Sequence, residues 1–139
     1  MWYINVYNSA VGNIWYAESN DGIHWHNTVN YPVLTHGQTG KWDDYSVGVG
    51  PVLKESLKYK IYYDGFHDQY GEWSIGLAAS MDGIHWTKKY DKPVFSVGSN
   101  RPTIDYPFLM KVGNEYRIYF TGTGIDGKFG VSIVTVLNL

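Results

Sequence analysis

Apolar and aromatic residues occur along this chain in short runs, and turn-forming residues separate the runs. Typical runs are Ile14–Ala17, Ile61–Tyr63, Ile75–Ala79 and Ile118–Phe120, and Gly, Asp, Asn or Pro stand between them. No window shows the i, i+3, i+4 spacing of an amphipathic helix. In several runs apolar side chains occupy both alternating faces, which is typical of strands buried on two sides. The pattern therefore predicts an all-β domain with about ten antiparallel strands.

One heptad occurs twice. Ser19-Asn20-Asp21-Gly22-Ile23-His24-Trp25 returns sixty-one positions later as Ser80-Met81-Asp82-Gly83-Ile84-His85-Trp86, with six of seven residues identical. A period of this length indicates a repeated supersecondary unit. Asp-Gly between two β-rich runs predicts a tight hairpin, because Gly accepts the positive φ of a primed turn. Such a hairpin is expected to have a structural role, and the alternative is a ligand-binding loop.

A second set of repeated segments completes the unit. Ile61-Tyr62-Tyr63-Asp64-Gly65 matches Ile118-Tyr119-Phe120-Thr121-Gly122, and Pro51-Val52-Leu53 matches Pro107-Phe108-Leu109. The unit is then a sheet of four antiparallel strands, which is the blade of a β-propeller. The chain is expected to be one domain, a partial propeller, with blade repeats at about 1–30, 44–90 and 101–139. Trp25 and Trp86 should be largely buried at equivalent positions.

Composition limits the function classes. Aromatic residues make up 17% of the chain and charged residues also 17%, which suits a β protein packed through aromatic pairs. The net charge of −2 and the lack of a basic run argue against nucleic-acid and membrane partners. The chain has no Cys, and its five His show no metal-ligand spacing, so neither a metal nor another cofactor is expected. No signal peptide is visible, and a cytoplasmic location is expected.

The repeated residues resemble a known group of proteins. S-x-D-G-I-x-W followed by P-V-L, with W-D and Y-x-I-Y-Y-x-G farther along, is similar to the five-bladed propellers of glycoside hydrolase families 43 and 32. The resemblance implies that ligands bind on the face formed by the connections from the outer strand of one blade to the inner strand of the next. The Asp-Gly hairpins would lie on the opposite face, which gives Asp21, Asp82, His24 and His85 structural roles.

The candidate ligand site follows from this face. Its connections are rich in carboxylates and aromatic rings, which suit the hydroxyls and apolar faces of sugars, although ordinary polar loops have similar compositions. The ligand-binding candidates are Trp42, Asp43, Asp44, Tyr45, Arg101, Asp105 and Tyr106. Asp105 is also the candidate catalytic residue, because the resembled family places an inner-strand Asp before a Pro. A turn Asp satisfied by backbone N–H groups is the alternative.

Catalysis by glycoside hydrolases requires a pair of carboxyl groups across the scissile bond. In the first inner strand, the residue that the repeat aligns with Asp105 is Val49, which cannot titrate. The sequence therefore favours a non-catalytic carbohydrate-binding or assembly module. The alternatives are a glycoside hydrolase whose site is completed by another subunit, and a fragment of a longer propeller.

The chain is also expected to self-associate. It carries one complete blade and two incomplete ones, so its ends should expose apolar faces that include Trp2, Tyr3, Ile118, Tyr119 and Phe120. Large exposed apolar patches mark interfaces. A closed homodimer is the predicted state.

Overall fold

The structure, a computed structural model, describes residues 1–7, 11–69, 71–96, 104–113, 115–123 and 128–136. These residues form twelve strands in three antiparallel sheets, and none of them is helical. Sheet 1 contains β1 (Trp2–Tyr7), β2 (Val11–Glu18) and β3 (His26–Asn27). Sheet 2 contains β4 (Ser46–Gly48), β5 (Val52–Glu55), β6 (Lys58–His67), β7 (Glu72–Ser80), β8 (Trp86–Lys88) and β9 (Phe95–Ser96). Sheet 3 contains β10 (Ile104–Val112), β11 (Glu115–Thr123) and β12 (Phe129–Val136).

Sheet 2 has the four-stranded layout predicted for a blade. β4 and β5 both pair with β6, and together they form the inner strand of the blade. β8 and β9 both pair with β7 and form the outer strand. Both interruptions contain a proline, Pro51 or Pro93, which lacks the N–H that a continuous ladder requires. These two breaks account for twelve strands where about ten were expected.

The core lies between the sheets. Ile61 and Tyr63 on β6 pack with Ile14 and Val47 in a cluster between sheets 1 and 2. Tyr62, the residue between them, points to the other side and packs with Ile118 and other residues between sheets 2 and 3. Full burial of each large apolar side chain is worth about 1.5–3 kcal/mol. Because apolar side chains of β6 point alternately to its two faces, sheet 2 packs against a neighbouring sheet on each face, as the sequence pattern predicted.

The outer strands keep the same register in the first two sheets. Leu34 forms a bridge with Ile14 in sheet 1, and Phe95 pairs with Ile75 in sheet 2. Each residue of the second pair lies sixty-one positions after its counterpart in the first pair. The Pro-Val-apolar motif thus returns the chain to the strand before the hairpin in each case.

Side-chain hydrogen bonds within each heptad stabilise its loop. In the second, Ser80 Oγ donates to Asp82 Oδ1 (2.9 Å) and accepts from the N–H of Gly83 (2.8 Å). Asp82 Oδ1 also accepts from the N–H groups of Ile84 (2.9 Å) and His85 (2.8 Å), and the His85 ring contacts Asp82 Oδ2 at 2.7 Å. The first heptad has the same bonds within 0.1 Å.

These bonds correct the predicted turn. The connection between β7 and β8 has five residues, 81–85, and is not a two-residue primed turn. The Asp carboxylate takes the N–H groups that a tight hairpin would pair across the strands, so the loop stays open around it. The glycine prediction was correct, because Gly22 and Gly83 have φ of 75° and 80°.

The prediction that both tryptophans are largely buried was wrong for Trp25. Trp86 is partly buried and meets the ring of Trp2 edge-on at 6.0 Å, whereas Trp25 is 44% exposed. Trp2 belongs to sheet 1 and covers the hairpin of sheet 2. No described strand lies in the corresponding position beside the hairpin of sheet 1, so Trp25 has no such cover.

This difference predicts unequal effects of one substitution in the two hairpins. Gly22→Ala and Gly83→Ala each place Ala at positive φ, which costs about 1–2 kcal/mol. At Gly83 the new methyl would also lie 2.9 Å from the Trp2 ring, while at Gly22 nothing lies within 4 Å. Urea denaturation should therefore show the larger loss for Gly83→Ala. Equal losses would contradict the packing of Trp2 on the second hairpin.

The hairpins also predict a loss of stability in acid. Hydrogen bonds from the His side chain and backbone, and from the Ile N–H, hold the pKa of Asp21 and Asp82 well below its usual range. Because the folded-state pKa is lowered, this stabilisation is present above about pH 4 and is lost as pH falls toward the folded value. Asp82→Asn should lower stability at pH 7 and reduce the further loss between pH 4 and 2. Denaturation midpoints across that range measure both, and parallel pH profiles would contradict the assignment.

Candidate functional site

The connection from β3 to β4 carries four of the predicted site residues and is fixed by its own hydrogen bonds. The N–H of Gly37 donates to the carbonyl of Asp43 (2.8 Å), and the N–H of Asp44 donates to the carbonyl of Lys41 (3.2 Å). The N–H of Tyr45 then donates to the carbonyl of Phe66 on β6 (3.1 Å). The connection is thereby anchored beside the end of β6.

Asp43 points into the protein. Only 2% of the residue is exposed, and its Oδ2 accepts hydrogen bonds from Lys88 Nζ (2.6 Å) and the Tyr63 hydroxyl (3.0 Å). Burial, with the nearby Asp43 carboxylate, raises the pKa of Tyr63 well above its ordinary value, so the phenol remains a neutral donor. Asp43 thus ties the connection to β6 and to β8, forty-five positions away.

Asp44 and Tyr45 also have partners within the protein. Asp44 Oδ2 accepts from the N–H of Gly40 (2.8 Å), and its Oδ1 lies 3.5 Å from Nδ1 of His67. The bond from Gly40 is the main reason that the pKa of Asp44 is below its ordinary value. Tyr45 meets the ring of Phe66 edge-on, with centroids 5.8 Å apart.

Trp42 lies flat against Tyr63, with ring centroids 5.6 Å apart and an interplanar angle of 28°. Two strand glycines, Gly65 and Gly76, make room for it, because a methyl group at either would run into the indole. These glycines are the sequence signal that an aromatic ring crosses the sheet at this point. The position of Trp42 is therefore set by the packing of sheet 2.

A cavity of about 180 Å³ opens beside this ring. It brings Trp42 and Asp43 together with Lys88, the last residue of β8, and with Tyr90 and Asp91, which come just after that strand. The sequence analysis did not identify these three residues. The Asp43–Lys88 ion pair forms part of its wall, and Tyr90 is an exposed ring at its edge. The described residues that line it are Gly37, Gln38, Lys41, Trp42, Asp43, Lys88, Tyr90 and Asp91.

The remaining candidates belong to sheet 3. Asp105 and Tyr106 lie on β10, where Asp105 pairs with Thr121 of β11 just before a register shift. Their side chains, and Arg101 as a whole, lie outside the described part of the chain. The structure thus gives the backbone position of the catalytic candidate and leaves the grouping of these three residues with Asp43 a prediction.

The strand register corrects the residue matched with Asp105. Asp64 on β6 corresponds to Thr121 on β11, and it pairs with Gly48 on β4. Gly48, and not Val49, is therefore the counterpart of Asp105. Aligning the two repeats on Pro51 and Pro107 gives a residue match that is wrong by one position. These prolines do not occupy equivalent places in the irregular segment of each inner strand.

This register places a carboxylate where the sequence comparison found none. The side chain of Asp64 lies directly against Gly48, and a methyl group there would collide with the carboxylate. In sheet 2 the acid is Asp64 on β6, and the inner strand opposite it carries Gly48. In sheet 3 the arrangement is reversed, because the acid is Asp105 on the inner strand β10, opposite Thr121 of β11. A Gly opposite an Asp, one strand away, is the pattern that could have revealed it.

A second groove runs between the inner strands of sheets 2 and 3 and measures about 580 Å³. The described residues that line it are Val49, Gly50, Pro51, Val52, Leu53, Pro107, Phe108 and Leu109, and none of these has a titratable side chain. Among the described residues, this groove therefore offers neither an acid nor a base.

The described residues hold no cluster of three or more His, Asp or Glu side chains arranged as metal ligands. Over the same residues, no helix is long and apolar enough to cross a bilayer.

No family model matches the chain. Two uncharacterized proteins of Mycobacterium tuberculosis, from strains H37Rv and CDC 1551, are 27% identical to it over 93 residues. That match covers 64% of this chain and 31% of each relative, so the chain spans about a third of their length.

Solved structures match over most of the chain. Sucrose-6-phosphate hydrolase from Lactobacillus gasseri has a TM-score of 0.74 at 18% identity, with 91% of this chain and 26% of that protein covered. A family 117 glycoside hydrolase from Zobellia galactanivorans has a TM-score of 0.71 at 16% identity, with coverage of 93% and 39%. A Bombyx mori family 32 β-fructofuranosidase matches at 0.71 and 15% identity, covering 98% and 31%.

These matches establish the class of fold. The chain has the blade architecture of the propeller glycoside hydrolases and corresponds to part of such a propeller. The resemblance inferred from the repeated residues is thereby confirmed for the fold. At identities below 20%, the activities of those proteins do not transfer with it.

The buried ion pair yields a test of the site geometry. Lys88→Met would leave the carboxylate of Asp43 buried without its cation, and we expect a loss of about 3–5 kcal/mol in unfolding free energy. Lys41→Met removes an exposed partner of Asp91, 3.5 Å away, and should cost less than about 1 kcal/mol. Urea denaturation of both variants measures the contrast. A loss at Lys88 as small as that at Lys41 would show that Asp43 is solvated.

Proposed function

We propose that this chain is a non-catalytic carbohydrate-binding module with a glycosidase-like propeller fold. The observation that carries the proposal is the 180 Å³ cavity, which offers aromatic rings and polar groups. The charge of its buried carboxylate is already balanced by Lys88, and the carboxylate also accepts a hydrogen bond from Tyr63. A carboxylate that accepts two strong hydrogen bonds inside the protein is a poor general base. It can still define the floor of a binding site.

The cavity suits one face of a neutral sugar. Trp42 is held against Tyr63 and presents its remaining edge, and Tyr90 supplies a more exposed ring. Aromatic rings cover the apolar face of a pyranose or furanose, and Gln38 with Asp91 can bond to its hydroxyls. Pockets of this kind combine apolar walls with a few polar groups that fix orientation.

A glycoside hydrolase completed by further propeller blades is the second candidate. It is supported by the matched hydrolases, of which this chain covers 26–39%. It is also supported by two carboxylates, Asp64 on β6 of sheet 2 and Asp105 on β10 of sheet 3, which lie at the same level of the strand register. Such an enzyme would need its second carboxyl group at a fixed distance across the scissile bond. The remaining blades, in the same or another chain, would have to supply or position it.

Sugar binding is tested by titrating the protein with sucrose, D-fructose, L-arabinose and D-galactose and recording amide NMR shifts. We expect shifts at residues 37–43 and 88–91 for at least one sugar, with a millimolar Kd. Tyr90→Ala should weaken that binding at least fivefold, and Tyr31→Ala, which removes another exposed tyrosine, should leave it unchanged. Shifts that cluster on the Asp21 and Asp82 hairpins would place the ligand on the opposite face.

The two candidates differ in turnover. The binding module should release no nitrophenol from aryl glycosides at micromolar protein. Turnover that disappears in Asp105→Asn would favour the hydrolase and contradict the non-catalytic proposal.

A further inference from the structure

The outer strand of sheet 2 is interrupted by a bulge beside the 180 Å³ cavity. The N–H groups of Lys89 and Val94 both donate to carbonyls of β7 at 2.8 Å, and a single residue separates the two acceptors. On the outer strand four residues, 90–93, lie between the two donors, so they loop out of the sheet and are called the bulge below. Bulges next to functional sites re-aim side chains. Two residues of this one, Tyr90 and Asp91, line the cavity.

The bulge belongs to the repeated unit, but its exposed tyrosine does not. The ladder of sheet 1 has a gap at the same place, where six residues, 28–33, face only two residues of β2. Val29 of that segment, the counterpart of Tyr90 sixty-one positions earlier, packs against the core cluster between sheets 1 and 2. Tyr90 is instead 58% exposed. Packing of the blade therefore accounts for the bulge and leaves the ring of Tyr90 accessible to a ligand.

The cavity contains two ion pairs that differ in how firmly they are held. Lys88 and Asp43 are 2.6 Å apart, and the Asp43 side chain is only 3% exposed, so this pair is a fixed part of the wall. Lys41 and Asp91 are 3.5 Å apart, and their side chains are 49% and 92% exposed. Exposed pairs contribute little to stability, because water competes for both groups. Lys41 and Asp91 can therefore take up other hydrogen-bonding partners at little cost.

The same charges limit the kind of ligand. The described lining carries two cations and two anions, so its charges cancel, and a ligand with a net charge gains little from it. The volume of about 180 Å³ is below the range of about 300–1,000 Å³ found for sites of drug-sized ligands, which suits a single ring. The cavity therefore favours one neutral sugar ring over a sugar acid, a sugar phosphate or a longer chain.

Lys41 and Asp91 come from two different segments that line the cavity, the connection from β3 to β4 and the bulge. An ammonium group donates hydrogen bonds and a carboxylate accepts them, whereas a hydroxyl does both. Of two neighbouring hydroxyls on a sugar ring, one can accept from Lys41 while the other donates to Asp91. Because the two charged groups are only 3.5 Å apart, they match hydroxyls on adjacent carbons. A ring that has only isolated hydroxyls cannot satisfy both groups in this way.

We propose that Lys41 and Asp91 exchange their ion pair for two adjacent hydroxyls of a single neutral sugar ring, which lies against Tyr90 and the edge of Trp42. The ligand class is thereby a neutral sugar with two free hydroxyls on neighbouring ring carbons. The inference rests on the proposed function, because it assigns specificity to the same cavity. The residues that carry it belong to sheet 2 and to the connection from sheet 1, so it does not depend on what adjoins the outermost sheets.

Methyl α-D-galactopyranoside is a suitable probe, because its ring carries hydroxyls on three successive carbons and its anomeric oxygen is blocked. Removal of the 3-hydroxyl leaves no adjacent pair on the ring, whereas removal of the 6-hydroxyl leaves both pairs. Amide NMR titration should give a millimolar Kd for the galactoside and for its 6-deoxy derivative, and a Kd at least about fivefold higher for the 3-deoxy derivative. The corresponding uronic acid should bind more weakly than the galactoside. Equal Kd values for the first three compounds, or tighter binding of the acid, would overturn the inference.

Variants of the two charged residues test whether they make these contacts. Asp91→Ala and Lys41→Met should each raise the Kd of the galactoside at least about fivefold and leave that of the 3-deoxy derivative unchanged, because no adjacent hydroxyl pair is left to lose. Lys92→Met changes the next residue of the bulge, which is exposed and does not line the cavity, and should alter neither Kd. Circular dichroism and urea midpoints check that all three variants, at exposed positions, remain folded.

The remaining outcomes separate this inference from the proposed function. Tighter binding of the galactoside by Asp91→Ala would show that the ion pair only closes the cavity, and would overturn the inference. So would a wild-type protein that does not bind the galactoside. In both cases, shifts at residues 37–43 and 88–91 with sucrose, D-fructose or L-arabinose would leave the proposed function standing. A wild-type protein that shows no shifts with any of these sugars would contradict both.

Discussion

Apolar side chains on both faces of each sheet are the constraint on which this structure depends. A sheet of this kind cannot leave either face in water without exposing several large side chains. Sheet 2 meets the constraint fully, with Ile61 and Tyr63 covered by sheet 1 and Tyr62 covered by sheet 3. The stacking order of the sheets follows from that alternation. So does the bare face of sheet 3, because the same alternation continues in β11 and β12 without a further described sheet against it.

The features that sequence reasoning predicted well are local or strictly repeated. The heptad holds its own loop through bonds between residues no more than three positions apart, so its structural role follows from Ser, Asp and Gly at fixed spacing. Period-two alternation identified β6 as a strand with two buried faces, and it identified β11 as a strand, of which only the face with Ile118 and Phe120 is buried in the described structure. Both signals depend on neighbours in the chain, and both therefore survive without knowledge of the tertiary structure.

The errors arise where a residue depends on a distant partner. Trp25 and Trp86 end heptads that share six of seven residues, yet only Trp86 has Trp2 beside it. For Asp43, the sequence could not show that the carboxylate is buried and paired with Lys88, forty-five positions later, and its ligand-binding role stays a prediction. The repeat alignment misses the counterpart of Asp105 by one position because it matches two prolines that are not equivalent, whereas the hydrogen-bond register determines which residues face each other.

The distribution of acids has a consequence for chemistry on this fold. Asp43 and Asp44 hold the connection from β3 to β4 in place through Lys88, Tyr63 and Gly40, so their negative charge serves architecture. Asp64 reaches the inner strand of sheet 2 only because Gly48 has no side chain. The inner groove between sheets 2 and 3 is apolar along its described length. Acid–base chemistry at this groove would thus depend on acids that sheets on both sides of it place around it. It would therefore also depend on what covers the exposed faces of the outermost sheets. The packing constraint that orders the sheets therefore also determines which acids could meet at this groove.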